Sequence, residues 1–401
     1  MRGALAALLL VAASSVAQAQ DQVAAGRYQA ILGDCQGCHT APGGQPFAGG
    51  LVLETPFGNM TVPNVTQDRA SGIGGWSEAD FRRAVREGIT PDGKRLYPAM
   101  PYPAYTRMSD ADLASLWAYL KTVVPVHNAV EADHLRFPFN IRALMAGWDW
   151  LYFKPGRFAP AEGKSAAWNR GAYLVNGPGH CGACHTAKTF FGADGPAALT
   201  GASLQGWFAP EITGAKPRGV GGWSADDIVA YLKSGWNSHA VASGPMAEVV
   251  ERSTSQMTDG DLEAVALYLK DQPAASEPVP TAVAGNDPAV AAGKVLYQNN
   301  CTACHGANGK GEALMFPPLA GNPVLLQSSA ENLIRVVLAG AQAVSTQAAP
   351  TGPSMPSFAW KLNDAQLADL LTYVRNDWGN QAPPVGADMV AKVRASLKSG
   401  S

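Results

Sequence analysis

The sequence predicts an all-α protein built of three tandem repeats with loop-rich crevices. Three observations carry this. The pentapeptide C-x-x-C-H occurs as Cys35–His39, Cys181–His185 and Cys301–His305, and these copies use all 6 cysteines of the 401 residues. Each copy follows a short helical pattern holding a Gly and a Tyr: Gly26 and Tyr28, Gly171 and Tyr173, Gly293 and Tyr297. Each is followed by a loop-rich stretch, a Pro-flanked Met and an amphipathic helix, expected over 110–121, 259–270 and 364–376. Apolar residues recur there at helical spacing, as in Leu113, Leu116, Trp117 and Leu120. Ser109, Thr258 and Asn363 stand where N-caps belong.

The pentapeptide is the attachment signature of c-type haem. Two thiols add to the two vinyl groups of one haem, and the next imidazole reaches the iron as proximal ligand. The alternatives for this spacing are a zinc site, a redox-active thiol pair or a disulfide. Three copies that consume every cysteine favour haem. The expected cofactor set is therefore three covalently bound haem c. The attachment residues are Cys35, Cys38, Cys181, Cys184, Cys301 and Cys304, and His39, His185 and His305 are the proximal ligands. An N-terminal helix crossing a C-terminal helix, with haem between loops, defines three tandem class I-like cytochrome c domains. Gly on the first helix permits close approach to Tyr119, Tyr268 or Tyr373 on the last, a reading compatible with ordinary packing of those rings.

An iron held by one His takes a second ligand or stays open. Candidates are Met100 in Tyr97–Tyr102, Met246 in Gly244-Pro245-Met246, and Met355 in Gly352–Pro356. His39 to Met100 and His185 to Met246 are both 61 positions; His305 to Met355 is 50. A Met is more often packing than ligand, but equal spacing and flanking prolines, which stiffen a loop, favour the ligand reading. Competing residues (Met60, Met108, Met315, His127, His134, His180 and His239) do not repeat in register and read as structural or surface groups. Three closed irons leave none for substrate. No Ser/His/Asp arrangement stands out, and Gly72–Gly75 lacks the strand-then-helix setting of a phosphate loop. The chain reads as a wire, with chemistry done elsewhere.

Composition agrees. Hydrophobic residues make up 47%, and 43 glycines with 29 prolines suit small domains with long loops wrapped on a cofactor. Net charge is −2, without the basic footprint of a nucleic-acid binder. Met1-Arg2, the apolar run from Ala4 to Ala13 and Ala17-Gln18-Ala19 read as a secretory leader cut after Ala19, the alternative being an uncleaved anchor. That places the mature chain in the periplasm. The expected division is a leader over 1–19, domains over 20–124, 165–271 and 289–380, a connector over 125–164, a Pro/Ala linker over 272–288 and a tail over 381–401.

The first two repeats share Gly72–Ser77 and Gly219–Ser224, each followed by an acidic helix start. Trp76 and Trp223 are either indole donors to a haem propionate or caps of the loop–helix junction. The third repeat lacks this block. The connector is rich in aromatic residues, among them Phe137, Phe139, Trp148, Trp150, Tyr152, Phe153 and Phe158. It is either a clasp across the first two domains, the favoured reading, or a docking surface for a subunit or lipid. The tail carries Met389, Val390, Val393 and Leu397 among Lys392, Arg394 and Lys398. A frayed terminal helix is favoured over a membrane-contacting one.

The blocks Thr55–Gly58, Asn64–Thr66, Gly72–Ser77, Tyr97–Tyr102, Phe137–Asn140, Trp168–Val175 and Gly244–Val250 together resemble one family. It is the trihaem cytochrome c subunit of bacterial membrane-bound dehydrogenases, of the alcohol, aldehyde, gluconate, sorbitol, fructose and glucose types. The resemblance spans about residues 21–380. It implies a partner catalytic subunit carrying flavin, pyrroloquinoline quinone or molybdopterin, electron passage through the haems to ubiquinone, and a peripheral position on the outer face of the cytoplasmic membrane. Other readings are a free periplasmic carrier feeding an oxidase, and a haem oxidoreductase with one open iron.

Overall fold

The computed structural model describes residues 18–275 and 280–398. All but the last two positions of the expected leader lie outside the described residues. The chain divides into two compact units, residues 1–163 with 173–180, and residues 164–172 with 181–401.

In the first unit a helix over 18–32 crosses the helix Asp110–Leu120. The crossing is tight because Gly26 has no side chain: a Cβ there would lie 1.8 Å from the Ser115 carbonyl oxygen and 2.8 Å from Tyr119 Cβ. The second helix starts where Ser109 caps it, its side chain accepting the Asp112 N–H. It buries Leu113, Leu116, Trp117 and Leu120 against Phe47, Ile73, Phe81 and Val85. Phe81 stacks on Trp117 at 5.1 Å. Full burial of one such side chain contributes about 1.5–3 kcal/mol. A capping box of Ser77 and Asp80 opens the helix Glu78–Glu87, and Gly88 closes it in the left-handed region.

Short hairpins occur where only loops are expected. Val52–Thr55 pairs antiparallel with Gly58–Thr61, and His134–Leu135 adds a third strand on Gly58 and Asn59. The connector thus begins as part of the first region. It continues inward: Tyr97 donates to the Phe139 carbonyl at 2.9 Å, Arg142 lies over the Tyr97 ring, and Tyr102 donates to Asp149 at 2.6 Å. Its inner side therefore braces the loop that carries Met100. These contacts all fall within the first unit, and the other side of the connector leaves large aromatic rings in solvent. Phe137 and Trp150 are 79% and 84% exposed.

The second unit repeats the crossing twice. Gly171, on the helix Ala166–Asn176, meets the Ala264 carbonyl oxygen of the helix Asp259–Lys270; a Cβ would sit 1.9 Å from it. Gly293 of the helix Pro288–Asn300 does the same at Asp369 of the helix Asp364–Val374, at 2.1 Å. Thr258 and Asn363 cap the second helix of each pair as expected. The hairpin Ala202–Leu204 with Trp207–Ala209 and the Ser224/Asp227 capping box of the helix Ala225–Ser234 mirror their counterparts in the first unit.

The tail is neither frayed nor free. Its helix Ala387–Lys398 buries Val390 and Val393 in the same core as Tyr297, Leu367 and Leu371, with Met389 and Leu397 packed alongside. Arg394 fastens it to Asp364 at 2.7 Å and to the Leu362 carbonyl at 2.7 Å. The apolar stripe that suggested membrane contact is spent on the third core.

Candidate haem sites

Each pentapeptide forms one helical turn. The histidine N–H donates back to the carbonyl of the first cysteine in all three: His39 to Cys35 at 2.9 Å, His185 to Cys181 at 3.0 Å and His305 to Cys301 at 2.9 Å. This turn puts cysteines three apart on one face and sets the histidine one residue further on.

The imidazoles share a second contact. Nδ1 of His39 lies 2.8 Å from the Pro63 carbonyl oxygen, Nδ1 of His185 lies 2.7 Å from that of Pro210, and Nδ1 of His305 lies 3.0 Å from that of Pro317. A carbonyl only accepts, so Nδ1 carries the proton and Nε2 keeps a lone pair for a metal. Burial pushes all three imidazoles below their ordinary pKa, partly opposed by the carbonyl. They are neutral, as an iron ligand must be. The sequence contains no motif for these carbonyls, since every residue has one; their one trace is a proline at each position.

The cysteines argue against a redox pair. None of the six is joined to another in a disulfide. Burial pushes Cys35 up to about 12, with Asp34 and Cys38 adding to it. Burial likewise raises Cys181 to about 12 and Cys301 to about 11. A reactive C-x-x-C lowers its thiol pKa instead. Among the described residues no three His, Cys, Asp or Glu side chains converge as a zinc site requires.

Met100 and Cys35 pack against the same core as half-buried Val65 and Trp76. Met355, on the strand Ser354–Met355, and Cys301 likewise share the third core. Met246 is the second residue of the helix Pro245–Arg252 and packs on Ala242, Val250 and Val344. Of the competitors, Met108 is a core residue, Met60 pairs in a strand opposite Leu53, and Met315 is exposed. His127 and His134 are exposed beside Asp68 and Glu131. His180 sits edge-on to Tyr105, with Nε2 3.2 Å from the Gly33 carbonyl oxygen. His239 stacks flat on Trp223 at 5.2 Å.

Trp223 tests whether haem fits. It is buried, and its indole nitrogen has no acceptor among the protein atoms. A buried donor without a partner costs about 1–3 kcal/mol, and a haem propionate is an acceptor of the right kind. Paired thiols, a neutral imidazole and half-buried apolar side chains beside them complete a donor set that suits haem c.

In the second site the strand that delivers Pro210 is fastened from outside its own repeat. The Asn332 side chain accepts the Phe208 N–H at 2.8 Å and donates to the Phe208 carbonyl at 2.7 Å. Gln327 accepts the Glu211 N–H and donates to the Arg218 carbonyl. Arg335 donates to the Gly206 carbonyl at 2.9 Å and lies over the Trp207 ring. Sequence reading missed all three residues, which carry no motif.

Fold and site together define a c-type cytochrome, with haem held covalently. The cytochrome c family model matches residues 23–123 and 290–378. The chain is 40% identical to the cytochrome c subunit of the quinone alcohol dehydrogenase of Gluconobacter oxydans (strain 621H), over 98% of this chain and 87% of the relative. It is 38% identical to the gluconate 2-dehydrogenase cytochrome c subunit of Pantoea cypripedii, over 99% and 95%. It is 37% identical to the fructose dehydrogenase cytochrome subunit of Gluconobacter japonicus, over 94% and 83%. The chain belongs to the family of dehydrogenase cytochrome c subunits.

Proposed function

We propose that this chain is a trihaem electron-transfer subunit that takes electrons from a periplasmic dehydrogenase catalytic subunit and delivers them to ubiquinone. The observation that carries this is the threefold recurrence of paired cysteines with a histidine whose Nδ1 is tied to a proline carbonyl. The three domains are 20–124, 165–271 and 289–380, with 1–19 removed as a leader, 125–164 as connector, 272–288 as spacer and 381–401 as C-terminal tail. Cys35 with Cys38, Cys181 with Cys184, and Cys301 with Cys304 hold one haem each. When bound, haem c supplies one-electron chemistry at its iron.

The residues of the chain do the rest. His39, His185 and His305 present neutral Nε2 atoms, fixed in tautomer by their carbonyl partners. Met100, Met246 and Met355 would supply the second ligands, and a Met paired with His would favour a high potential and leave no iron open to substrate. The names of the relatives support a catalytic partner, which would carry flavin, pyrroloquinoline quinone or molybdopterin. No helix among the described residues is long and apolar enough to cross a membrane, which agrees with peripheral attachment on the outer face of the cytoplasmic membrane. The test is intact mass and haem content of the purified chain, with identification of the subunit that co-purifies. Three haems and a dehydrogenase subunit are expected. Two haems would overturn the trihaem reading, and rapid carbon monoxide binding to one reduced haem would favour an enzyme with an open iron.

A further inference from the structure

The connector contains a helix turned inside out. Arg142–Leu144 form a short 3-10 turn that runs into the helix Met145–Tyr152. Its inward side carries Met145 and Asp149, both buried, and Asp149 is paired with Arg95 and Tyr102. Its outward side consists of Ala143, Leu144, Ala146, Gly147, Trp150 and Leu151, every one exposed. The charge is inside and the solvent face is wholly apolar. Phe137 and Ile141, just before the helix, are exposed as well, at 79% and 42%. Water-facing helices carry polar residues on this side, so the face is built to be covered.

We propose that this face is where the chain seats itself on an anionic lipid surface. It rests on the reading of peripheral attachment and says where that attachment is made. Two features select lipid over protein. The stripe offers one hydrogen-bonding side chain, the indole of Trp150, whereas protein interfaces carry about one hydrogen bond per 100–200 Å². An indole on an exposed apolar face is a group that favours the headgroup boundary. The charge around the face is complementary to anionic headgroups. Exposed Arg136 and Lys154 flank it, and between residues 134 and 161 the single acid is Asp149, which is buried and paired. A shallow apolar stripe with cationic ends is the pattern of an interfacial helix.

The experiment is sedimentation of the purified holoprotein with vesicles of phosphatidylcholine and phosphatidylglycerol. The test variant combines Trp150→Glu and Leu151→Glu, and the control is Trp360→Glu, which changes an equally exposed indole elsewhere. Haem absorbance confirms that each is folded. Wild type and control are expected to bind, more weakly as salt rises, and the double variant to lose about tenfold or more in partition. A double variant that binds like wild type overturns the proposal while leaving peripheral attachment standing. Failure of the wild type to bind any vesicle overturns both. A double variant that keeps vesicle binding but sheds its co-purifying subunit overturns the proposal and makes the face a protein interface.

Discussion

The first and third sites make the same contact by different routes. In the first, the proline carbonyl that meets the histidine lies 24 positions downstream, at the end of the hairpin Val52–Thr61. In the third it lies 12 positions downstream, on the loop at Pro317-Pro318, with a single bridge between Glu312 and Phe316 in place of the two-stranded hairpin. The second site uses 25 positions and a hairpin like the first. What recurs is the place of one acceptor atom, and loop length is free to vary around it. The supports differ too. The first region braces its Met100 loop with the connector of its own unit, while the second site borrows Asn332 and Gln327 from the third.

The largest effect tests what all three regions share. A chain produced without haem should show no cooperative unfolding in calorimetry, because the haem would supply much of the apolar core of each small, loop-rich domain. A sharp melt of the haem-free chain would show instead that the helix crossings suffice. Next are the crossings themselves. Gly26→Leu, Gly171→Leu and Gly293→Leu should each cost about 3 kcal/mol or more, since the new Cβ overlaps a backbone oxygen at 1.8, 1.9 or 2.1 Å. Thermal midpoints of the three variants would be compared, and a tolerated change at one site would mean that its helices separate more easily than the others.

The ligands come third. Met246→Ala should lower the potential of one haem by a fraction of the roughly 0.8 V that axial ligands span, read by spectroelectrochemistry; an unchanged potential removes Met246 from the iron. Asn332→Ala addresses the borrowed support. It should cost about 1–2 kcal/mol for two lost hydrogen bonds and move the potential of the second haem while the first stays put. An equal shift in both would dissolve the distinction between self-braced and borrowed sites. The smallest effect is expected from Ser77→Ala and Ser224→Ala, about 1 kcal/mol each in denaturant unfolding.

Much of this was written in side-chain types. The pentapeptides, the Gly-to-Tyr crossings at Tyr119, Tyr268 and Tyr373, and the caps at Ser109, Thr258 and Asn363 all rest on a residue type that only one local geometry uses well. The helix ends agree within two residues, at Leu120, Lys270 and Val374. Besides the hairpins and the supports at Asn332, Gln327 and Arg335, three further features escaped. The proline carbonyls are backbone atoms, which composition cannot distinguish. The tail helix looked frayed because its stripe is short, and its partner core around Tyr297 lies far away in sequence. The outward apolar face of the connector escaped because apolar residues are expected inside. Helix phase sets it: Asp149 turns in to meet Arg95 and Tyr102, and Trp150 must then turn out.

The proline carbonyls behind His39, His185 and His305 also bear on how these sites withstand change. A side-chain carboxylate in that role would vanish with one substitution and would take up a proton in acid. A backbone oxygen does neither. Replacing Pro63, Pro210 or Pro317 leaves an acceptor behind, and only displacement of the chain removes it. The electron donation each histidine receives through its ring is therefore buffered against both point mutation and the acidity of the medium.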